Sequence, residues 1–327
     1  MSRFAAIAAA VAAIAAPAPA VTSRAAALRM LAEMDALGRF IGTIRVSSYC
    51  MGQSTRGQQI PIVVIHDPAV PIDETARLFV ICRQHGDEPS SSEASLSIIR
   101  TYFAGPSARD VELLRRVTLI IVPMMNPDGA LRLTRRNARK VDLNRDWMAL
   151  TQPETRAVMR AIQDWQPQLI LDEHELDPTD RKPDFVESLG RGSGAAQGLL
   201  GKTDTLQRLI VASLRAHGIA AASRHDSDRP PPRLAHRYFP LRRGTAALIV
   251  ESRRFGPPAR QIRDRARVHI VSTMTAARCL AGDSAGVQRE IGQWRRAREM
   301  VRLASRGGGH GSAKPGRRSR YAARKSR

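Results

Sequence analysis

Five short apolar runs punctuate the middle of the chain: IPIVVI at 60–65, LFVIC at 78–82, VTLIIVPMMN at 117–126, LILDEH at 169–174 and AALIVE at 246–251. They are rich in β-branched and aliphatic residues and bounded by polar or turn-forming sequence, which predicts strands buried on both faces. Between them, apolar positions recur at helical spacing over Ser91–Phe103, Pro153–Trp165, Leu199–His217 and Pro258–Leu280. Strands alternating with helices of this length predict a three-layer α/β/α domain around a mixed, largely parallel central sheet. No internal repeat is visible.

The ends of these strands carry the chemistry. LFVIC runs into Arg83-Gln84-His85-Gly86-Asp87-Glu88, LILDE runs into His174, and AALIV runs into Glu251. In open α/β sheets ligands gather at the carboxyl ends of strands, so three strands bring His, Glu, His and Glu to one edge. His85, Glu88 and His174 form a His2Glu set that leaves a fourth zinc position open, as catalytic zinc sites do. A further carboxylate is needed to take a proton and pass it on, and Glu251 is the candidate. A lone His-x-x-Glu is common and an isolated strand-end His is usually structural; the convergence is what points to a site.

Composition narrows the class. The chain has 327 residues, 43% of them hydrophobic, which excludes a collagen-like, coiled-coil or wholly disordered chain. Lys and Arg number 52 against 30 Asp and Glu, for a net charge of +22, and all but five of the bases are Arg. Residues 1–20 place Arg3 before an apolar run from Phe4 to Ala16 and then small residues, the layout of a cleaved export signal with cleavage after Ala20. The run is too short to span a bilayer, so a mature form without a transmembrane segment, exported to the periplasm or beyond, is expected. Residues 21–285 then suffice for one catalytic domain. Residues 286–305 read as a basic helix and 306–327 as a disordered basic tail. Segment 286–327 holds 13 Lys and Arg against Glu290 and Glu299, enough to attract an anionic envelope polymer. No aromatic stacking set accompanies the bases, so no specific nucleic acid is predicted. Cys50, Cys82 and Cys279 allow at most one disulfide, so a core must hold the fold.

Taken with Asn126-Pro127-Asp128-Gly129 and Asp142-Leu143-Asn144-Arg145-Asp146-Trp147, these motifs resemble the zinc carboxypeptidase family. The resemblance runs through GQSTRGQQIPIVVI (52–65), HGDE (85–88), NPDG (126–129), Arg135 to Asn137, DLNRDW (142–147), DEHE (172–175) and VESR (250–253), in order over residues 25–280. It implies one zinc per chain held by His85, Glu88 and His174, with Glu251 as general base and acid. It implies Arg135 as the oxyanion-stabilising arginine, with Arg136 as the alternative in TRRNAR. Asn144 and Arg145 would grip the terminal carboxylate of a peptide, and Asp142 would orient a metal-bound His. Tyr238 is the nearest counterpart of the family's substrate-capping tyrosine; otherwise it simply packs.

The chain departs from the family in places. Gln58 stands where an Arg usually follows the second Gly of the hairpin, and Gly86-Asp87 is closer to short bacterial, murein-peptide-amidase-like members than to the digestive enzymes. Arg233, His236, Arg237, Arg242 and Arg243 precede Glu251 and would make a basic pocket for acidic or peptidoglycan-derived termini. The implied function is a zinc metallocarboxypeptidase. The alternatives are an N-acyl amino acid deacylase of the succinylglutamate desuccinylase and aspartoacylase type, and a polyanion-binding envelope protein acting through its tail.

Overall fold

The computed structural model describes residues 32, 39–41, 44–104, 106–226, 230–254, 262–293 and 296. Among the described residues, nine strands form one mixed sheet: β1 (Arg39–Ile41), β2 (Ile44–Gln53), β3 (Gln59–His66), β4 (Ala76–Cys82), β5 (Val117–Val122), β6 (Leu169–Glu175), β7 (Asp184–Ser188), β8 (Ala221–His225) and β9 (Ala246–Ser252). Their order across the sheet is β1-β2-β3-β5-β4-β6-β9-β7-β8. The four central strands, β5, β4, β6 and β9, run parallel. Antiparallel pairings of β3 with β5 and of β7 with β9 bound them.

Among the described residues, helices α1 (Ser90–Ala104), α2 (Ala108–Leu114), α3 (Pro153–Trp165), α4 (Gln197–Ala216) and α5 (Ile262–Leu280) pack on this sheet. Alternate residues of one strand face opposite sides, and the core divides accordingly. Leu78, Val80, Leu119, Ile121, Leu171 and Leu248 pack with Leu96, Ile99, Leu114, Ile210, Leu214 and Val268 of α1, α2, α4 and α5. Phe79, Ile81, Ile120, Val122 and Ile170 pack with Val158 and Ile162 of α3, and with Trp147 and Phe239. Helix on one face, sheet, helix on the other: this is the three-layer arrangement expected from the pattern.

Local chemistry sets the boundaries. Pro153 opens α3, where its missing N–H costs no helical bond, and Gln166 closes it in the left-handed conformation with φ of 44°. Ser107 and Asp110 close a reciprocal capping box on α2. The run expected as a strand to Asn126 ends at Val122, because Pro123 lacks a donor and Asn126 instead caps a helical turn at Pro127–Ala130. Helix α5 is described from Ile262, and the preceding residues 258–261 of the expected helix lie outside the described residues.

Residues 284–293 are helical, with Val287 and Ile291 packed on Ala216. The remainder of the expected 286–305 helix apart from residue 296, the 306–327 tail and the 1–20 leader lie outside the described residues. Cys50, Cys82 and Cys279 are all free thiols, so the one disulfide that the count allowed is not formed. Among the described residues no helix is long and apolar enough to cross a membrane.

Candidate metal centre

The carboxyl ends of β4, β6 and β9 meet at one edge, as their order requires. After β4 the chain turns sharply: Arg83 adopts a left-handed φ of 56°, and its Nε donates to Gly86 O at 3.0 Å, bracketing His85. Gly86 lies against Gly129 so closely that a Cβ would meet the Gly129 carbonyl carbon at 2.1 Å. Asn126 holds this junction, accepting from Gly129 N–H at 2.9 Å and donating to the Gln84 and Arg135 carbonyls at 3.2 and 3.3 Å.

His85, Glu88 and His174 present ligand atoms lying within 4.8 Å of one another, all buried. The Nδ1 atoms of His85 and His174 are 3.1 Å apart, and they face different oxygens of Glu88 at 2.7 and 2.9 Å. Ligands around a zinc ion with bonds of roughly 2.0–2.1 Å stand about 3.3 Å from one another, so the donor set fits that ion in type and spacing.

Both histidines rest their far nitrogen on a carboxylate. His85 Nε2 is 3.1 Å from Asp142 Oδ1, and His174 Nε2 is 2.8 Å from Asp172 Oδ1. Such partners fix ring orientation and raise ligand basicity. Burial pulls the His174 pKa down, but Asp172 and Glu88 overcome it and hold it well above the usual histidine range. His85 is raised in the same way, by Glu88 and Asp142 against burial. Burial pushes the Asp142 carboxyl up, but the hydrogen bond and charge of His85, with Arg135 and Arg145 nearby, hold it well below the usual carboxylate range.

Asp172 lacked an expected role, yet it stands two residues before His174 on β6 and so shares its face. Gln84 Nε2 donates to Asp172, and Trp147 Nε1 donates to Gln84 Oε1 at 3.0 Å. The Trp of DLNRDW thus braces the far end of the chain that orients His174.

Glu251 is the register partner of His174 across β6 and β9. Burial, ahead of the opposing charges of its neighbours, pushes its carboxyl up to about 7. Arg135 reaches the same centre, with Nη1 3.3 Å from Glu88 Oε1 and Nη2 3.2 Å from Asp142 Oδ2. Arg136, the alternative in TRRNAR, donates to Lys140 O at 3.0 Å. Asn144 is buried, with Nδ2 3.1 Å from His174 Nε2 and Oδ1 accepting from Ala235 N–H at 3.0 Å. Arg145 is exposed and makes a long 3.5 Å contact to Asn144 O. Tyr238 is only 8% exposed and packs against Phe239, 5.3 Å between ring centroids, within the α3-side core.

The β2–β3 hairpin is built despite Gln58. Its tip docks through the main chain, Arg56 N–H donating to Asp128 Oδ2 at 3.0 Å and Thr55 N–H to Glu154 Oε1 at 2.9 Å. The segment expected to form a basic pocket is partly neutralised. Arg237 pairs with Asp226, and His236 Nε2 lies 3.4 Å from Glu187 Oε1 and 3.7 Å from Asp226 Oδ2. Glu187, Asp226 and His236 could by spacing hold a cation, but Arg237 and Arg224 already face the two carboxylates. This second cluster is an ion-pair network.

Residues 34–178 match the family model described as zinc carboxypeptidase. A carboxypeptidase of Arabidopsis thaliana, SOL1, is 33% identical over 130 residues, covering 36% of this chain and 26% of that protein. The chain therefore matches about a quarter of that relative's length. The metallo-carboxypeptidase of Burkholderia cenocepacia superposes with a TM-score of 0.64 at 24% identity, covering 78% of this chain and 69% of the other. The metallo-carboxypeptidase of Pseudomonas aeruginosa, solved with (2-guanidinoethylmercapto)succinic acid, gives 0.62 at 22% identity over 80% and 70%. At these identities the two structures speak to the fold.

Proposed function

From a chain whose residues 34–178 match the zinc carboxypeptidase family model, we propose a metallocarboxypeptidase that hydrolyses the last amide bond of peptides with a free terminal carboxylate. The observation that carries this reading is the meeting of His85, Glu88 and His174 with Glu251 at the ends of three parallel strands. His85 Nδ1, Glu88 and His174 Nδ1 would hold one zinc ion. That ion would supply Lewis acidity, lowering the pKa of water and polarising a carbonyl.

Each remaining role falls to a residue of the chain. Glu251 takes the proton of the attacking water and returns it to the leaving amine, a task suited to a carboxyl poised near 7. Arg135 holds the developing oxyanion, its guanidinium already beside Glu88. Arg145 receives the terminal carboxylate with its planar fork, and Asn144, fixed by the Ala235 N–H, supports it. Asp142 and Asp172 keep the two imidazoles in place. The built hairpin and the Asn126–Gly129 turn support a peptidase over an N-acyl amino acid deacylase.

The side-chain preference rests on fewer groups than the sequence suggested. With Arg237 and His236 facing Asp226 and Glu187, selection of acidic or murein-derived termini would fall to Arg233, Arg242 and Arg243. Residues 1–20 make the protein an exported one in this reading, and residues 286–327 a tether to anionic polymer.

The test measures metal per chain alongside hydrolysis of paired peptides, one with a free terminal carboxylate and one amidated, with murein tripeptide and N-acyl amino acids beside them. One zinc per chain and cleavage of the free form only is the expected result. Metal-free protein, or equal cleavage of both members of a pair, would overturn the reading.

A further inference from the structure

On the face of the sheet opposite the metal ligands lies a buried polar network that the proposed chemistry does not use. His269 Nε2, from α5, stands 3.1 Å from both Ser90 Oγ and Ser252 Oγ, and the two hydroxyls are 3.2 Å apart. His269 Nδ1 lies 3.7 Å from Glu173 Oε2, and Glu173 Oε1 accepts from Thr273 Oγ1 at 2.8 Å, one helical turn along α5. Ser90 N–H donates to Glu175 Oε1 at 2.6 Å, and Leu176 N–H donates to Ser252 O at 2.9 Å. His269, Ser90, Ser252, Glu173, Thr273 and Glu175 are all buried. A Ser-His-Glu grouping without solvent access has no substrate to attack, so its function is sought in what it holds.

What it holds is specific. Ser90 follows Glu88 by two residues, Glu173 and Glu175 flank His174, and Ser252 follows Glu251. Successive strand residues point to opposite faces, so the network grips the backs of β6 and β9, whose fronts carry His174 and Glu251. A buried hydrogen-bonded network is directional where apolar packing is not, and the contacts of His269 Nε2 with Ser90 and Ser252 favour one arrangement of the segments they join.

We infer that His269 is a positioning residue for the metal centre, joining the three segments that carry Glu88, His174 and Glu251 through Ser90, Glu173 and Ser252. This rests on the metallocarboxypeptidase reading of the front face. It acts through backbone placement, and it should show in metal affinity and turnover more than in substrate binding.

The experiment compares His269→Phe, His269→Asn and His269→Gln in the full chain. It reads the zinc dissociation constant by competition with a chromophoric chelator, kcat and KM separately, and thermal unfolding of the metal-free form. His269→Phe is expected to weaken zinc by about 10–100-fold, the usual effect of removing an outer partner, and to lower kcat at little changed KM. Gln, whose amide reaches the place of Nε2, should recover most of both; the shorter Asn should not. Where the Phe variant fails to fold, the Ser90→Ala, Ser252→Ala double variant keeps the ring and removes the hydroxyls, with the same expected shift. Zinc affinity and kcat equal to the parent in folded variants would overturn the inference, as would losses that follow unfolding temperature alone with no recovery in Gln. A parent that takes up no metal would overturn the metal-centre reading itself, and the inference with it.

Discussion

Glu251 and His174 stand opposite one another at the next-to-last paired positions of β9 and β6. The strand that carries a metal-ligand candidate and the strand that carries the candidate base are thereby held in a main-chain ladder, and their separation does not depend on a loop. Glu251 Oε2 is buried without a hydrogen-bond partner, which suits an atom meant to accept a proton during a reaction. Glu251→Gln, close in shape, should leave zinc content unchanged and lower kcat on a free-carboxylate peptide by about 10²–10⁴-fold. Metal analysis and steady-state kinetics on the same preparation check both halves, and an active Gln variant would remove Glu251 from the role.

The acidity of Glu251 gives the pH dependence a sign. Burial raises its carboxyl to about 7, so the basic form is lost as pH falls through that value. A bound cation nearby favours the ionised form and moves the midpoint below it. The expected kcat/KM profile rises with pH along a single limb centred at or below about 7. A profile already flat from pH 5 upward would show that another group limits the rate.

Asp172 gives a prediction that tests the metal centre without turnover. It faces His174 Nε2 and is itself held by Gln84. Asp172→Ala should weaken zinc by about 10–100-fold while the protein stays folded. Protons compete for the same imidazoles. Zinc should therefore leave as pH falls, since Asp172 and Glu88 outweigh burial to make His174 more basic than usual. Dialysis against a pH series with metal analysis reads both effects; affinity indifferent to Asp172 would contradict the orientation ascribed to it.

Much of this was legible in the chain, and what was missed has physical reasons. β3, β4, β6 and β9 are apolar runs buried on both faces, so continuous hydrophobicity marked them, and α3 was bounded by Pro153 and its own periodicity. β7 and β8 are five residues each with charged members, and α2 is seven, too short for a period to register. β2 is partly exposed and mixed in character, so no apolar run announced it. The metal set followed from strand ends. Asp172 needed only the period of two along β6, a signal present in DEHE. His269 had none, because a single His in an amphipathic helix reveals nothing of Ser252 on the preceding strand or of Ser90, 179 residues away.

Gly86 is the position where the smallest change should do most. Its neighbour across the contact is main chain, so an added methyl, 2.1 Å from the Gly129 carbonyl carbon, cannot be relieved by a side-chain rotation. Gly86→Ala should cost at least about 1–3 kcal/mol of stability. It should also displace His85 and Glu88 enough to lose zinc. Thermal unfolding and metal content check it, and a variant as stable and as metal-rich as the parent would mean that the two loops separate more easily than their contact implies.

Arg145 tests the carboxypeptidase assignment most directly, because its effect should depend on a single chemical group of the substrate. Its guanidinium is exposed beside Asn144, whose Oδ1 is committed to the Ala235 N–H, so Arg145 is the freer partner for a carboxylate. A charge-assisted bidentate contact is worth roughly 1.5–3 kcal/mol. Arg145→Met should therefore lower kcat/KM on free-carboxylate peptides by about 10–150-fold, mostly through KM if the contact is made equally in ground and transition states. Arg145→Lys should recover only part, since an ammonium is a point charge without the planar fork. The weaker binding of an amidated peptide, read as a competitive inhibition constant, should not change in either variant. Equal losses for the free and amidated peptides would mean that Arg145 supports the site's structure, and the terminal carboxylate would have to be sought at Arg135 or Arg233.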